Sequence, residues 1–336
     1  MRLESAEPRR DVSSDDRSEP NVLRRLGEPE PEVGRHVDAA IDESARLYAQ
    51  NAVASRTRAD ASGGPEFNDR ILYVGMNGKD GQCDREARSL AYGGNVVVGH
   101  SERDRALGAD HVLVGGRPTD LATAWGALDF AMSIGLPRDQ ASGVARAILN
   151  APAGSRDELA GIASVWVRAE HGERIPSRLV LSGHCWGNSI WDGGSENLGE
   201  LSFSSLRSLA RAMPHAAAQV EDLMISACSS GFDGESATGV RFPLSTWKEI
   251  FPNLKTAWGY GNEHHSPTGA QAIAHIAAWA HATRGRVQSL DGKKAVDSFF
   301  DAVKRSAPDP SKIGKPQLDG NVSVWTVSQG YVPGRG

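Results

Sequence analysis

Two short segments carry the side chains best suited to covalent chemistry. Residues 223–231 read LMISACSSG and put Cys228 just past an apolar run; residues 179–184 read LVLSGH and put His184 in the same place after another. A thiol near its ordinary pKa is mostly protonated at neutral pH, and an adjacent imidazole can activate it. Histidine suits that task because it exchanges a proton near the working range. Attack on an amide carbonyl also needs donors for the developing oxyanion, and the backbone N–H groups around Gly183, Cys185 and Cys228 are the candidates. Ser229, Ser230 and Gly231 are small and leave the approach to the sulfur open. A plainer reading stands beside this one: cysteine is a small hydrophobe that strands often bury.

Such a pair works only if the fold brings two strand ends together. RILYVGM (70–76), NVVVGH (95–100), HVLVGG (111–116), SRLVLSGH (177–184), EDLMISAC (221–228) and NLKTAWGYG (253–261) read as short strands, with NVSVWTV (321–327) as a last one. Helical spacing covers 119–135 with a threonine cap, then RDQASGVARAILN, SRDELAGIASVWVRAEHG, 202–214, a short LSTWKEIFP, 267–285 and 293–306. Alternating strands and helices predict a three-layer α/β/α sandwich with a mainly parallel central sheet. Reacting groups in such sheets sit beyond the carboxyl ends of the strands. One right-handed crossover would bring the His184 and Cys228 strands side by side.

Composition sets the outer limits. The chain has 336 residues, 39% apolar and 24% charged, enough for one good core. A net charge of −5 and a pI near 6.1 predict no nucleic-acid or anionic-membrane partner. The opening MRLESAEPRRDVSSDDRSEP has no apolar core of a secretory signal. Three cysteines are too few for a disulfide scaffold, so a reducing, cytoplasmic compartment is expected, with leaderless export left open. Residues 1–66 read as a flexible tail (a pro-segment, export signal or recruitment arm) with one helix over 37–56, and 67–336 as the main domain.

The blocks LVLSGH, with Gly187 shortly after, and LMISACSSG resemble the His and Cys motifs of the caspase-like cysteine peptidases of clan CD. ISACSSG is closest in style to CHAT and separase blocks, and the preceding GELSFSSLRSLARAMPHAAAQVED is similar to the helix before the cysteine strand of CHAT domains. The resemblance implies a caspase-like fold over roughly 67–300 and peptide-bond hydrolysis through a thioester, with Cys228 as nucleophile and His184 as general base and acid. It implies a protein or peptide substrate and no cofactor or metal for the chemistry, with calcium or an activating protein partner as a switch in some relatives. Two positions depart from the pattern. Many members have glycine immediately after the histidine, where this chain has Cys185, which still offers a backbone N–H. Relatives selective for charged residues often place a charged or amide residue where Ser226 stands. Trp186, Asp192, Ser226 and Ser229 are the candidate substrate contacts, and Glu196 and Asp233 are further acids near the rim.

Other readings compete. GHCWG (183–187) fits the nucleophile elbow of an α/β-hydrolase, an esterase or lactonase with Cys185 as nucleophile, Asp222 or Asp233 as acid and His264 or His265 as base. That elbow requires a helix directly after the nucleophile, whereas NSIWDGGSENLGE reads as a loop. His184, Cys185, Cys228, His264 and His265 are zinc-type ligands in a spacing that matches no familiar zinc signature. The same fold could also serve as a catalytically inactive binding module. Cys83, in KDGQCDRE, reads as an exposed loop residue, Trp125, Trp166 and Trp279 as helix core, and His275 and His281 as packed or solvated.

Overall fold

Five short, wholly apolar or nearly apolar runs build the centre of the molecule, because a strand covered on both faces has no use for alternation. A computed structural model describes residues 70–76, 82–99, 107–108, 110–186, 189–191, 200–228, 230–231, 243–261, 270–283, 291–306 and 322–334. All of these lie in one compact unit, Ala40–Gly336. The expected tail of 1–66 and its helix over 37–56 lie outside the described residues.

Strands β1 (Ile71–Gly75), β2 (Val96–Val98), β5 (Arg178–Ser182), β9 (Asp222–Ser226) and β10 (Thr256–Tyr260) pair in parallel. Strands β11 (Val322–Thr326) and β12 (Gly330–Val332) extend the sheet antiparallel beside β10, giving the order β12-β11-β10-β9-β5-β1-β2. The chain is therefore α/β, with a seven-stranded and mostly parallel central sheet. The run 111–116 does not join it. It forms β3 (His111–Val114), which turns back onto β4 (Arg117–Asp120) as a separate hairpin. A third small sheet, β6 (His184–Trp186), β7 (Ser189–Trp191) and β8 (Glu200–Ser202), occupies part of the stretch expected to be a loop. Among the described residues no helix is long and apolar enough to cross a membrane.

Successive strand residues point to opposite faces of the sheet. Leu72, Val74, Leu179, Leu181, Leu223 and Ile225 enter one apolar cluster. Ile71, Tyr73, Val180, Met224, Trp258 and Tyr260 enter a second. The first is completed by helices α2 (Ala124–Ser133), α3 (Arg138–Leu149), α4 (Arg156–Glu170) and α5 (Phe203–Ala212), with the short α6 (Pro214–Ala217) and a 3-10 turn over Leu244–Glu249. The second is completed by α1 (Gln82–Tyr92), α7 (Ala270–Ala282) and α8 (Gly292–Ser306). Trp166 and Trp279 are core residues, as their spacing predicts.

Three sequence readings need correction. Residues 82–92 are helical and Cys83 is buried, because the helix packs Cys83, Ala87 and Leu90 inward. Helix α2 begins after Thr123, whose hydroxyl accepts from the Gly126 N–H at 3.0 Å, because 117–120 is spent on the hairpin. Trp125 is 79% exposed, since that helix buries Gly126, Ala127, Phe130 and Ala131 instead.

Two buried titratable groups give the fold a defined pH response. Asp222, at the first position of β9, accepts from Thr256 Oγ1 at 2.6 Å, and burial pushes its carboxyl up to about 7. His275 on α7 shares a 2.9 Å hydrogen bond with the Tyr260 hydroxyl, and burial pushes its imidazole down to about 3. Between about pH 4 and 7 the folded chain keeps the Asp222 proton that the unfolded chain releases, so this group's contribution to stability falls as pH rises through that window. His275 works oppositely: below about pH 6.5 the unfolded chain takes up a proton that the folded chain refuses, so stability is lost as pH falls toward 3. Asp222→Asn should remove this group's share of the first slope and keep the second; Asp157, also pushed up by burial, keeps its own share. Chemical denaturation across pH 4–8 should show the variant gaining on wild type as pH rises, by up to roughly 4 kcal/mol at pH 8.

Candidate active site

Strands β5 and β9 run side by side in strict register, Leu179 with Leu223, Leu181 with Ile225, and Ser182 with Ser226. The Gly183 N–H extends that ladder one step, donating to the Ser226 carbonyl at 3.3 Å. His184 and Cys228 each lie two residues past the last register pair, on the same carboxyl edge of adjacent strands. Both are half-buried. The sheet makes the two strands that precede them neighbours. An imidazole and a thiol so placed have the elements of general-base activation of a sulfur nucleophile.

The turn that carries Cys228 is held by its neighbours. The Ser230 hydroxyl is within donating reach of the Ile225 and Ala227 carbonyls, at 2.9 and 2.7 Å, and accepts from the Tyr260 N–H at 3.1 Å. It thus stands in for a main-chain partner where β9 stops pairing with β10. The Gly231 N–H donates to the Tyr260 carbonyl at 2.9 Å, and the Tyr331 hydroxyl donates to the Gly231 carbonyl at 3.0 Å. Gly231 and Gly259 cross backbone on backbone: a Cβ added to Gly231 would lie 2.5 Å from the Gly259 carbonyl carbon. Only hydrogen fits there, which explains the glycine that closes the SACSSG motif.

The other expected site residues divide clearly. The Gly183 N–H, one of the three oxyanion candidates, is committed to the Ser226 carbonyl, so the sheet ladder takes that donor. Ser226 is buried on the face that carries Tyr260 and closes the core under the turn. Cys185 is half-buried in β6, opposite Ile190 of β7. Trp186 is the last residue of β6. Asp192, Ser229, Gly187, Glu196, Asp233, His264 and His265 lie outside the described residues.

The hydrolase alternative loses its geometry. Cys185 lies within a strand that pairs with β7, not at a strand-to-helix elbow. Asp222 stands at the opposite end of β9 from Ser226, about 13 Å along the strand. Among the described residues no three His, Cys, Asp or Glu side chains gather as a metal site.

Sequence reasoning missed one charged residue at this edge. Glu86 of α1 is fully buried, and its Oε2 accepts from both the Tyr73 hydroxyl and the Ser182 hydroxyl at 2.7 Å. Its position four residues after Gln82 in a polar run, in step with Cys83 and Leu90, was the available signal. No protein-family model, no curated protein and no solved structure matches the chain. The class that fold and site define is thus an α/β protein with a histidine and a cysteine on one edge of adjoining parallel strands.

Ser230→Ala leaves the buried Tyr260 N–H without its acceptor and should cost about 1–3 kcal/mol by chemical denaturation. Because Ser230 belongs to the Cys228 turn, the alkylation rate of Cys228 should change in this variant while that of Cys185, read by peptide mapping, stays at the wild-type value.

Proposed function

We propose that this chain is a cysteine endopeptidase built as a caspase-like three-layer sandwich, with Cys228 as nucleophile and His184 as general base and acid. The observation that carries the reading is the β5/β9 register, which puts the exits toward His184 and Cys228 next to each other. The motif resemblance of LVLSGH and LMISACSSG supports it independently.

In the proposed reaction His184 takes the Cys228 proton and the sulfur attacks the scissile carbonyl. The resulting oxyanion is met by backbone donors at the rim, with the Cys228 and Cys185 N–H groups as the candidates left once Gly183 is set aside. His184 then passes its proton to the departing amine, which leaves a thioester on Cys228. Water activated by His184 hydrolyses the thioester and restores the thiol. The small, backbone-pinned turn beneath the sulfur suits this use, because a nucleophile must be held still while its surroundings stay open. Protein or peptide is the proposed substrate class.

The test is incubation of the full chain with a peptide library beside Cys228→Ala, His184→Ala and Cys185→Ala. Wild type and Cys185→Ala should cleave, while Cys228→Ala should lose roughly three orders of magnitude or more. Mass spectrometry of the acylated protein should place the thioester on Cys228. Equal cleavage by wild type and Cys228→Ala would overturn the assignment.

A further inference from the structure

The strand that delivers His184 is anchored on its buried side by a carboxylate from a different layer. Glu86, in the middle of α1, accepts at one oxygen from the Ser182 hydroxyl and the Tyr73 hydroxyl, each at 2.7 Å. Ser182 ends β5 and precedes His184 by two residues. The rest of Ser182 is fixed as well: its carbonyl accepts from the Met76 N–H at 2.9 Å and lies 3.7 Å from the Cys83 sulfur. Its register partner Ser226 accepts from the Gly183 N–H.

A fully buried carboxylate is costly, and it persists where hydrogen bonds compensate its lost hydration. This one lies at a particular place in the topology. From β1 the chain runs outward to β2, then returns to continue through β5 on the other side of β1. Tyr73 and Ser182 come from those two strands, so Glu86 sits at the switch point of the sheet, beside the carboxyl edge where α/β proteins place their chemistry.

We propose that Glu86 is a positioning residue for His184, acting through Ser182. This rests on the reading of His184 as the base of the candidate dyad. The Glu86–Ser182 bond fixes the last peptide of β5 against α1 and thereby sets the direction in which the chain leaves for His184. Tyr73 donates to the same carboxylate oxygen from β1 and also reaches the Ser182 side chain.

Four variants of the full chain separate this role from simple support of the core: Ser182→Ala, Glu86→Gln, the two combined, and Tyr73→Phe. The readouts are the imidazole 15N resonances of His184 and the rate at which iodoacetamide alkylates Cys228 at pH 7. Ser182→Ala and Glu86→Gln should each displace the His184 resonances and slow alkylation about tenfold, and the double variant should do no more than either alone. Tyr73→Phe keeps the Glu86–Ser182 bond, so it should lower the unfolding midpoint while displacing the His184 resonances less than Ser182→Ala does. The proposal is overturned if a folded Ser182→Ala keeps wild-type resonances and rate, or if all three single variants displace His184 equally. Should Glu86→Gln fail to fold, Ser182→Ala alone decides. Alkylation in wild type no faster than in His184→Ala would remove the dyad reading, and Glu86 would then be judged on the imidazole resonances.

Discussion

The parallel pairing of β5 with β9 is the constraint on which the candidate site depends. Its last rung, Gly183 N–H to Ser226 carbonyl, ends both strands at the same level, so whatever follows each of them shares one edge. No long-range design is needed beyond that: a register of five pairs, three of them apolar, carries a histidine and a cysteine to the same edge. A slip of one residue would send each β9 side chain to the opposite cluster and separate the exits. Leu179, Leu181, Leu223 and Ile225 on one face, with Val180 and Met224 on the other, oppose such a slip, because it would mispack both clusters and drive Asp222 and Ser226 into the first of them.

Beneath that edge the second apolar cluster is not purely apolar. Glu86, Tyr73 and Ser182 form one hydrogen-bonded group, and Tyr260 with His275 another. Buried polar groups of this kind add little net stability, but they penalise every arrangement that breaks them. They therefore narrow the set of geometries that the strand ends can adopt. The opposite cluster, packed by helices α2 to α5, is built largely from alanine, leucine, isoleucine and valine and supplies bulk burial instead.

Much of the sheet was legible in the sequence because β1, β5, β9 and β10 are short apolar runs bounded by polar or glycine residues, a pattern that only a strand buried on both sides needs. Helix α1 was not, because its inward stripe sets the charged Glu86 among only Cys83, Ala87 and Leu90, too few apolar side chains to stand out in a polar run. Strands β7 and β8 escaped notice because three residues are too few to show a period. The run 111–116 had strand composition but pairs only with its own continuation, and composition does not say which partner a strand finds. At the site, the residue types at Cys228 and His184 were readable. The hydrogen bonds that commit Gly183 and bury Ser226 were not, since they depend on where the ladder ends.

The tie between Tyr331 and the Gly231 carbonyl reaches from the outermost strand to the loop bearing the sulfur, a hundred positions earlier in the chain. Fraying of the outer antiparallel margin would therefore be transmitted inward to the thiol before any of the parallel strands gave way. The last hairpin acts as a remote brace on the loop that carries Cys228.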